Sequence, residues 1–219
     1  MPCVVENHSL LVVHAFIARF PQPVLATNTA ATTLTLLTEP TSVAPLPAPD
    51  ASLRATLRDA LRKGAFKPTG RSKPSSEYLW RAREEAALRS INVAVDIGNA
   101  VSLHSGLPIS VIDIERVTPP LRIQNGAPGE SYVFNPAGQV LALAGLPCLY
   151  DADGPCANAV KDAQRSKTSE TTTVTLSLIW SCRGLESITD AALNFYKSLL
   201  SEVAVLEPVE LRHLANNSA

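Results

Sequence analysis

The stretch Ile91-Asn92-Val93-Ala94-Val95-Asp96-Ile97-Gly98-Asn99-Ala100-Val101-Ser102-Leu103-His104-Ser105-Gly106-Leu107-Pro108 marks the point where the texture of the chain changes. Up to Ser105 its apolar residues recur at helical spacing, with Val93, Ile97, Ala100 and Val101 on one side, and Gly106 and Pro108 then stop the helix. Beyond Pro108 come short runs at 109–114, 121–124, 131–134, 140–143 and 148–150, separated by Gly, Pro and Asn, which predict strands. Residues 171–180 are the longest β-branched run, and 186–205 return to helical periodicity through Ile188, Ala192, Phe195, Leu199 and Val203.

Working toward the N-terminus, Asp50 stands as an N-cap before Leu53, Leu57 and Leu61, an apolar stripe that Gly64 ends. Ser75 and Ser76 are placed to cap a second helix running through Glu77, Leu79 and Ala86. Residues 9–38, with turn punctuation at Pro21, Pro23 and Asn28, predict two or three strands, and 42–50 carry three prolines as a short extended linker. Helices clustered ahead of strands favour an α+β class over a doubly wound parallel sheet. The expected organisation is N-terminal strands and a Pro-rich linker over 1–49, within the same globule as a main domain over 50–205, and a loosely held tail over 206–219.

With 219 residues, 46% of them apolar, and a formal charge of −1, the chain reads as a folded domain without a global pull on nucleic acid. Ring stacking would rest on a few residues such as Tyr78, Trp80, Phe134 and Tyr150, which weakens a single-strand-binding reading. Cys3, Cys148, Cys156 and Cys182 form no Cys-x-x-Cys pair and have no histidine at ligand spacing, so they read as buried thiols, with no metal and no cofactor expected. The apolar run 10–18 contains His14, ends at Arg19, and lacks a basic leader. It is too short to span a bilayer, so the expectation is a cytoplasmic protein without a membrane partner.

Two places carry candidate chemistry. Between residues 54 and 73 there are seven cations, Arg54, Arg58, Arg62, Lys63, Lys67, Arg71 and Lys73, against the single acid Asp59. Arg54, Arg58 and Arg62 share a helical face that suits either a phosphate backbone or plain solvation. Asp96 and Asn99, three apart on an otherwise apolar helix, need partners, either nearby backbone or a ligand in a pocket. His104, one turn later, reads as a core or dipole-stabilised residue. No Ser-His-Asp set, Gly-x-Ser-x-Gly elbow or phosphate loop is present, so any catalysis here works mainly by positioning.

Pro74-Ser75-Ser76-Glu77-Tyr78-Leu79, the run 91–99, Ser102-Leu103, Gly106-Leu107-Pro108, Asp113, Arg122, Gly129-Glu130 and then Asp162, Arg165, Ser166 and Thr172 resemble, in order and spacing, freestanding relatives of the editing domain in the beta subunit of bacterial phenylalanyl-tRNA synthetase. The resemblance covers roughly residues 50–205. It implies helices packed on a β-sandwich of unusual topology, and hydrolysis in trans of the ester of a mischarged, tyrosyl-tRNA-like aminoacyl-tRNA. It further implies a substrate pocket at Asn99, Gly98, Pro108, Ser110 and Asp96. Gly98 stands where the synthetase has threonine and Ser110 where it has its editing histidine. The glutamate that reads the tyrosine hydroxyl would fall near Asp151 or Asp153, which equally read as a turn. Arg54, Arg58, Arg62, Lys67, Arg71 and Lys73 would be the tRNA contacts. A tRNA-binding module without turnover, and an amino-acid or metabolite pocket, are the alternatives.

Overall fold

The computed structural model describes residues 2–6, 10–39, 41–62 and 66–214. In chain order its elements are β1 (Pro2–Val5), β2 (Leu11–Arg19), α1 (Ala31–Thr38), α2 (Ala51–Leu61), α3 (Ser75–Glu84), α4 (Val93–Ser105), β3 (Ile109–Asp113), β4 (Leu121–Asn125), β5 (Ser131–Val133), β6 (Val140–Ala142), β7 (Pro147–Asp151), β8 (Gly154–Asn158), β9 (Val174–Cys182), α5 (Glu186–Ser201), β10 (Val205–Pro208) and β11 (Glu210–His213). One sheet has the order β10-β2-β9-β3, and the other β11-β1-β4-β7-β8. β5 and β6 form a separate hairpin.

Alternation along β9 explains the layering. Leu176, Leu178, Trp180 and Cys182 join the core shared with β1, β4, β7 and β8, between the two sheets. Ile179 faces the opposite way, into a second core built with Phe16, Val93, Ile97, Val101, Ala192, Tyr196 and Leu200. Ser177 and Ser181 lie on that same face and share hydrogen bonds with the hydroxyls of Tyr196 (2.9 Å) and Thr189 (2.6 Å) of α5. Sheet, sheet and helices therefore stack as three layers, and the α+β class with helices on a β-sandwich is as expected. Most strand pairs are antiparallel, but β1 runs parallel to both β4 and β11, which is where the topology departs from a simple meander.

Local chemistry sets the helix boundaries. The Asp50 carboxylate accepts from Leu53 N at 2.8 Å and Asn92 Oδ1 accepts from Val95 N at 3.1 Å, each satisfying an otherwise orphaned N–H. At the far end of α4, Gly106 takes φ 76°, the left-handed cap that a glycine adopts without strain. Close approach reinforces the choice, because a Cβ there would meet Pro49 Cβ at 2.7 Å and Leu53 Cδ2 of α2 at 2.9 Å.

Several expectations need correction. Residues 31–38 form a helix, not a strand: Thr33 and Leu37, one turn apart, are buried, and the Leu36 carbonyl lies 2.9 Å from His104 Nε2 of α4. Packing on α4 overrides the β-branched composition of Thr32, Thr33 and Thr35. Ser75 and Ser76 do not cap α3; Pro74 occupies that position, and Ser75 N instead donates to Ala159 O at 2.9 Å. The expected stop at Gly64 lies outside the described residues. Strand β8 was not expected, since Gly154 and Pro155 suggest only a turn. From Glu207 onward the chain is no loose tail among its described residues, because β10 pairs with β2 and β11 with β1. Backbone pairing holds what sparse apolar composition would leave free.

β3 is an edge strand, and the segment 158–167 straps its outer side. Asn158 shapes that strap. Its Oδ1 accepts from Val160 N (2.8 Å) and Lys161 N (3.0 Å), and its Nδ2 donates to the Tyr132 hydroxyl, which in turn donates to Lys161 O. Ile112 bridges Lys167 further along, so the exposed ladder groups of β3 are covered.

Two stability outcomes follow from these contacts. Asp50→Ala should cost about 1 kcal/mol in a urea titration through loss of the α2 cap. Asn158→Ala should cost more, about 1–3 kcal/mol, because it leaves buried donors of the strap unsatisfied; an Asn158→Ala midpoint equal to wild type would rule out that role for the side chain.

Candidate functional site

A cleft of about 460 Å³ opens between α3, α4, the start of β3, the residues after β5 and the strap. Asn99 of α4 reaches it from one side, Lys161, Asp162 and Lys167 of the strap from the other, with Tyr78 and Phe134 at the walls. The helix-to-strand turn at Gly106-Leu107-Pro108 brings α4 and β3 side by side, which is why a helical Asn and strap residues more than sixty positions later face one space.

Asp162 is the chemically distinctive group. Its Oδ1 accepts from Ser110 Oγ at 2.6 Å and from Asn158 N at 3.3 Å. Ser110 is itself held by Trp180, whose Nε1 donates to Ser110 Oγ at 2.9 Å. Asp162 opens partly to the cleft, yet enclosure of its carboxyl pushes its pKa up to about 6, against the downward pull of the Ser110, Asn158 and Val111 hydrogen bonds and of Lys167. Lys161 Nζ stands 4.1 Å from the Phe134 ring centroid and 5.1 Å from that of Tyr78. Lys167 Nζ donates to Phe134 O at 2.6 Å. Burial lowers the pKa of both lysines.

The structure separates the expected pocket residues. Asn99 lines the cleft, and Ser110 is buried directly behind Asp162. Pro108 is buried at the turn, its carbonyl accepting from Trp180 N at 2.9 Å. Gly98 faces away from the cleft: a Cβ there would stand 2.9 Å from Val111 Cγ2 and 3.0 Å from the Tyr196 hydroxyl oxygen, so glycine is required by close packing on β3 and α5. Asp96 also turns away, accepting from Thr29 Oγ1 (2.8 Å), Ser90 Oγ (2.5 Å) and Ile91 N (2.8 Å). Those bonds tie the start of α4 to the preceding loops. Asp151 is buried and accepts a two-pronged contact from Arg165 at 2.7 and 2.8 Å, while Thr118 N and Asp153 N also donate to it. Arg165 holds the Asp151 carboxyl below the usual carboxylate range in spite of burial. Asp153 is exposed in the β7–β8 turn and accepts from Thr118 Oγ1 at 3.0 Å. Neither aspartate lines the cleft, so the turn reading describes them.

The basic helical face is largely occupied within the protein. Arg54 stacks 4.5 Å above Trp80, Arg58 makes a two-pronged pair with Glu77, and Arg62 pairs with Asp59 at 2.8 Å. Arg54 and Arg58 thereby brace α2 against α3. Among the described residues no carboxylate lies within ion-pair distance of Lys67, Arg71 or Lys73, and Arg71 is exposed. Also among the described residues, no group of three His, Cys, Asp or Glu side chains stands where it could hold a metal ion, and all four cysteines are buried and free. No described helix is long and apolar enough to cross a membrane.

Sequence reasoning did not place Lys161, Asp162 or Lys167 in a pocket. Asp162 belongs to the pattern of the resemblance, but spacing along the chain carries no sign that the strap folds back beside Asn99. The one local signal is Asn158, four residues earlier, a residue that bends the chain through its own side chain.

The B3/4 domain family model matches residues 65–201. Phenylalanine–tRNA ligase beta subunits from Brucella abortus (strain 2308) and Brucella suis biovar 1 (strain 1330) are each 28% identical over 142 residues, 60% of this chain. The chain spans 18% of the length of these curated relatives. An N-terminal fragment of the phenylalanyl-tRNA synthetase beta-subunit from Pyrococcus horikoshii has the same fold, with a TM-score of 0.55 over 97% of this chain and 52% of that one, at 11% identity. The family match takes in every segment that lines the cleft and extends over more than half of the sequence: the chain belongs to the B3/4 domain family and is a module related to tRNA synthetases.

Proposed function

We propose that this chain is a freestanding editing-type module that hydrolyses the ester of a mischarged aminoacyl-tRNA in trans, in the cytoplasm, with the cleft at Asn99 as its substrate pocket. The observation that carries the reading is the position of Asp162. Ser110 stands where the synthetase has its editing histidine, and it donates its hydroxyl hydrogen to a carboxyl group that opens to the same cleft as Asn99. The proton-accepting role at this site moves one residue outward, from the buried β3 side chain to the strap residue that opens to the cleft.

The chemistry is ester hydrolysis by a held water. The water oxygen bonds to the ester carbonyl carbon, Asp162 takes the water proton, and the carbon–oxygen bond to the terminal ribose breaks. The proton then passes to the departing ribose oxygen, leaving a free amino acid and an uncharged tRNA. An aminoacyl ester is already activated, so positioning by Asn99 and proton transfer to a carboxylate near its working pKa supply what remains of the barrier. Ser110 and Trp180 act through Asp162, fixing its orientation from behind.

Lys67, Arg71 and Lys73, which meet no carboxylate among the described residues, are the tRNA contacts in this reading. Arg54, Arg58 and Arg62 support α2 instead. Gly98, Asp96, Asp151 and Asp153 are assigned to structure, which leaves no carboxylate from the β7–β8 turn to read a tyrosine hydroxyl. The amino acid removed is therefore set by the strap and by the walls at Tyr78 and Phe134.

The test is release of amino acid from a panel of mischarged tRNAs. Asn99→Ala should reduce release by about tenfold or more at matched folding, and Asp162→Asn by about 10²-fold or more, the range of a lost general base. No release from any member of the panel, with tRNA still bound, would leave a binding module without turnover. The pH profile is a separate check. Asp162 must be ionised to accept the proton, so the wild-type rate should climb with pH below about 6 and level off above it, and that inflection should vanish in Asp162→Asn.

A further inference from the structure

Two ammonium groups converge on one residue at the mouth of the cleft. Lys161 lies over the ring of Phe134 at 4.1 Å and Lys167 donates to its carbonyl oxygen at 2.6 Å. The hydroxyl of Tyr78, a wall of the cleft, donates to Gly70 O at 3.2 Å and so ties the turn bearing Arg71 to that wall. Burial disfavours the charged form of Lys161, and the charges of Arg71 and Lys167 disfavour it further. Against these three cations the cleft offers one carboxylate, Asp162, whose Oδ1 is already engaged by Ser110 and Asn158.

Three like charges gathered around a single, already engaged carboxylate raise the energy of the empty site, and an anion that enters relieves the repulsion. The Lys161 ammonium has ring faces at its side but no hydrogen-bond acceptor among the described residues, so its donors are available to a ligand. Lys161 also covers the faces of Tyr78 and Phe134, so an incoming aromatic ring cannot stack on those faces while the lysine stays there. The mouth is built for a compact, oxygen-rich anion.

We propose that Lys161, Lys167 and Arg71 form a phosphoryl-anion site at the mouth of the cleft. Several converging donors match a group that presents several charged oxygens, and a phosphoryl group fills that role better than a single carboxylate. The phosphoryl group comes either from the phosphodiester near the end of a nucleic acid strand or from a free nucleotide. The site stands apart from the deacylase reading, since an anion would bind there whether or not an ester is cut.

Adenosine 5′-monophosphate, adenosine and uncharged tRNA separate the sources by direct titration, with thermal melts to confirm that each variant is folded. Lys161→Ala and Lys167→Met should weaken the phosphorylated probe by about tenfold while Lys161→Arg retains it, and adenosine should bind none of the proteins measurably. If the mononucleotide fails but tRNA binds, tRNA affinity should fall in Lys161→Ala, and its dependence on salt should become shallower by about 0.7 in log–log slope, the value for one phosphate contact on a single strand. That outcome assigns the site to the nucleic acid backbone. Wild-type affinity of the Lys161→Ala and Lys167→Met proteins for both phosphorylated probes, or binding of neither probe by the native chain, overturns the proposal.

Discussion

β9 is buried along its whole length, and that single constraint sets the layering. A strand buried on both faces must be covered on both, so it cannot lie at the outside of a two-layer fold. One face packs on the second sheet through Leu176, Leu178 and Trp180, and the other on α4 and α5 through Ile179. The hydroxyls of Ser177 and Ser181 are tolerated on the helix side because Tyr196 and Thr189 meet them there. Trp180 links this scaffold to the cleft, because the same ring that fills the inter-sheet core holds Ser110 through its N–H.

The cleft is a consequence of how β3 is protected. β3 pairs with β9 on one side and would expose a row of unpaired groups on the other. The strap that covers this edge is bent by Asn158, and the bend delivers Lys161, Asp162 and Lys167 to a space already bounded by α3 and α4. A structural requirement of the sheet and the polar lining of the pocket are met by the same ten residues.

Electrostatics divides the cations into two groups. Those on α2 are spent on cohesion, through Trp80, Glu77 and Asp59, while Arg71 and the strap lysines remain without carboxylate partners in ion-pair geometry. A count of charges along residues 54–73 cannot distinguish the groups, since a pair such as Arg58 and Glu77 forms only when α2 and α3 pack. The positive character that matters is displaced from the helix to the mouth of the cleft, and it includes two lysines nearly a hundred residues further along the chain.

By itself the sequence determined what depends on local chemistry: the α+β class, the Asp50 start of α2, the Gly106 stop, most of the strands after Pro108 and the final helix. These follow from side chains that act within a turn of themselves or from apolar periodicity that survives in any context. Asn99 was legible too, as a polar residue on an apolar helix that needs a use. Tertiary structure alone decided that the threonine-rich residues 31–38 are helical, that 205–208 and 210–213 are strands, and that Gly98 and Asp96 face packing rather than the cleft. It also decided that Asp162, not Asp151 or Asp153, is the carboxylate beside Asn99. Each of these rests on a partner distant in the chain, such as His104 for Leu36, Val111 and Tyr196 for Gly98, Arg165 for Asp151 and Ser110 for Asp162. Contacts of that kind leave no trace in local spacing, because the free energy that selects them exists only once the layers have met.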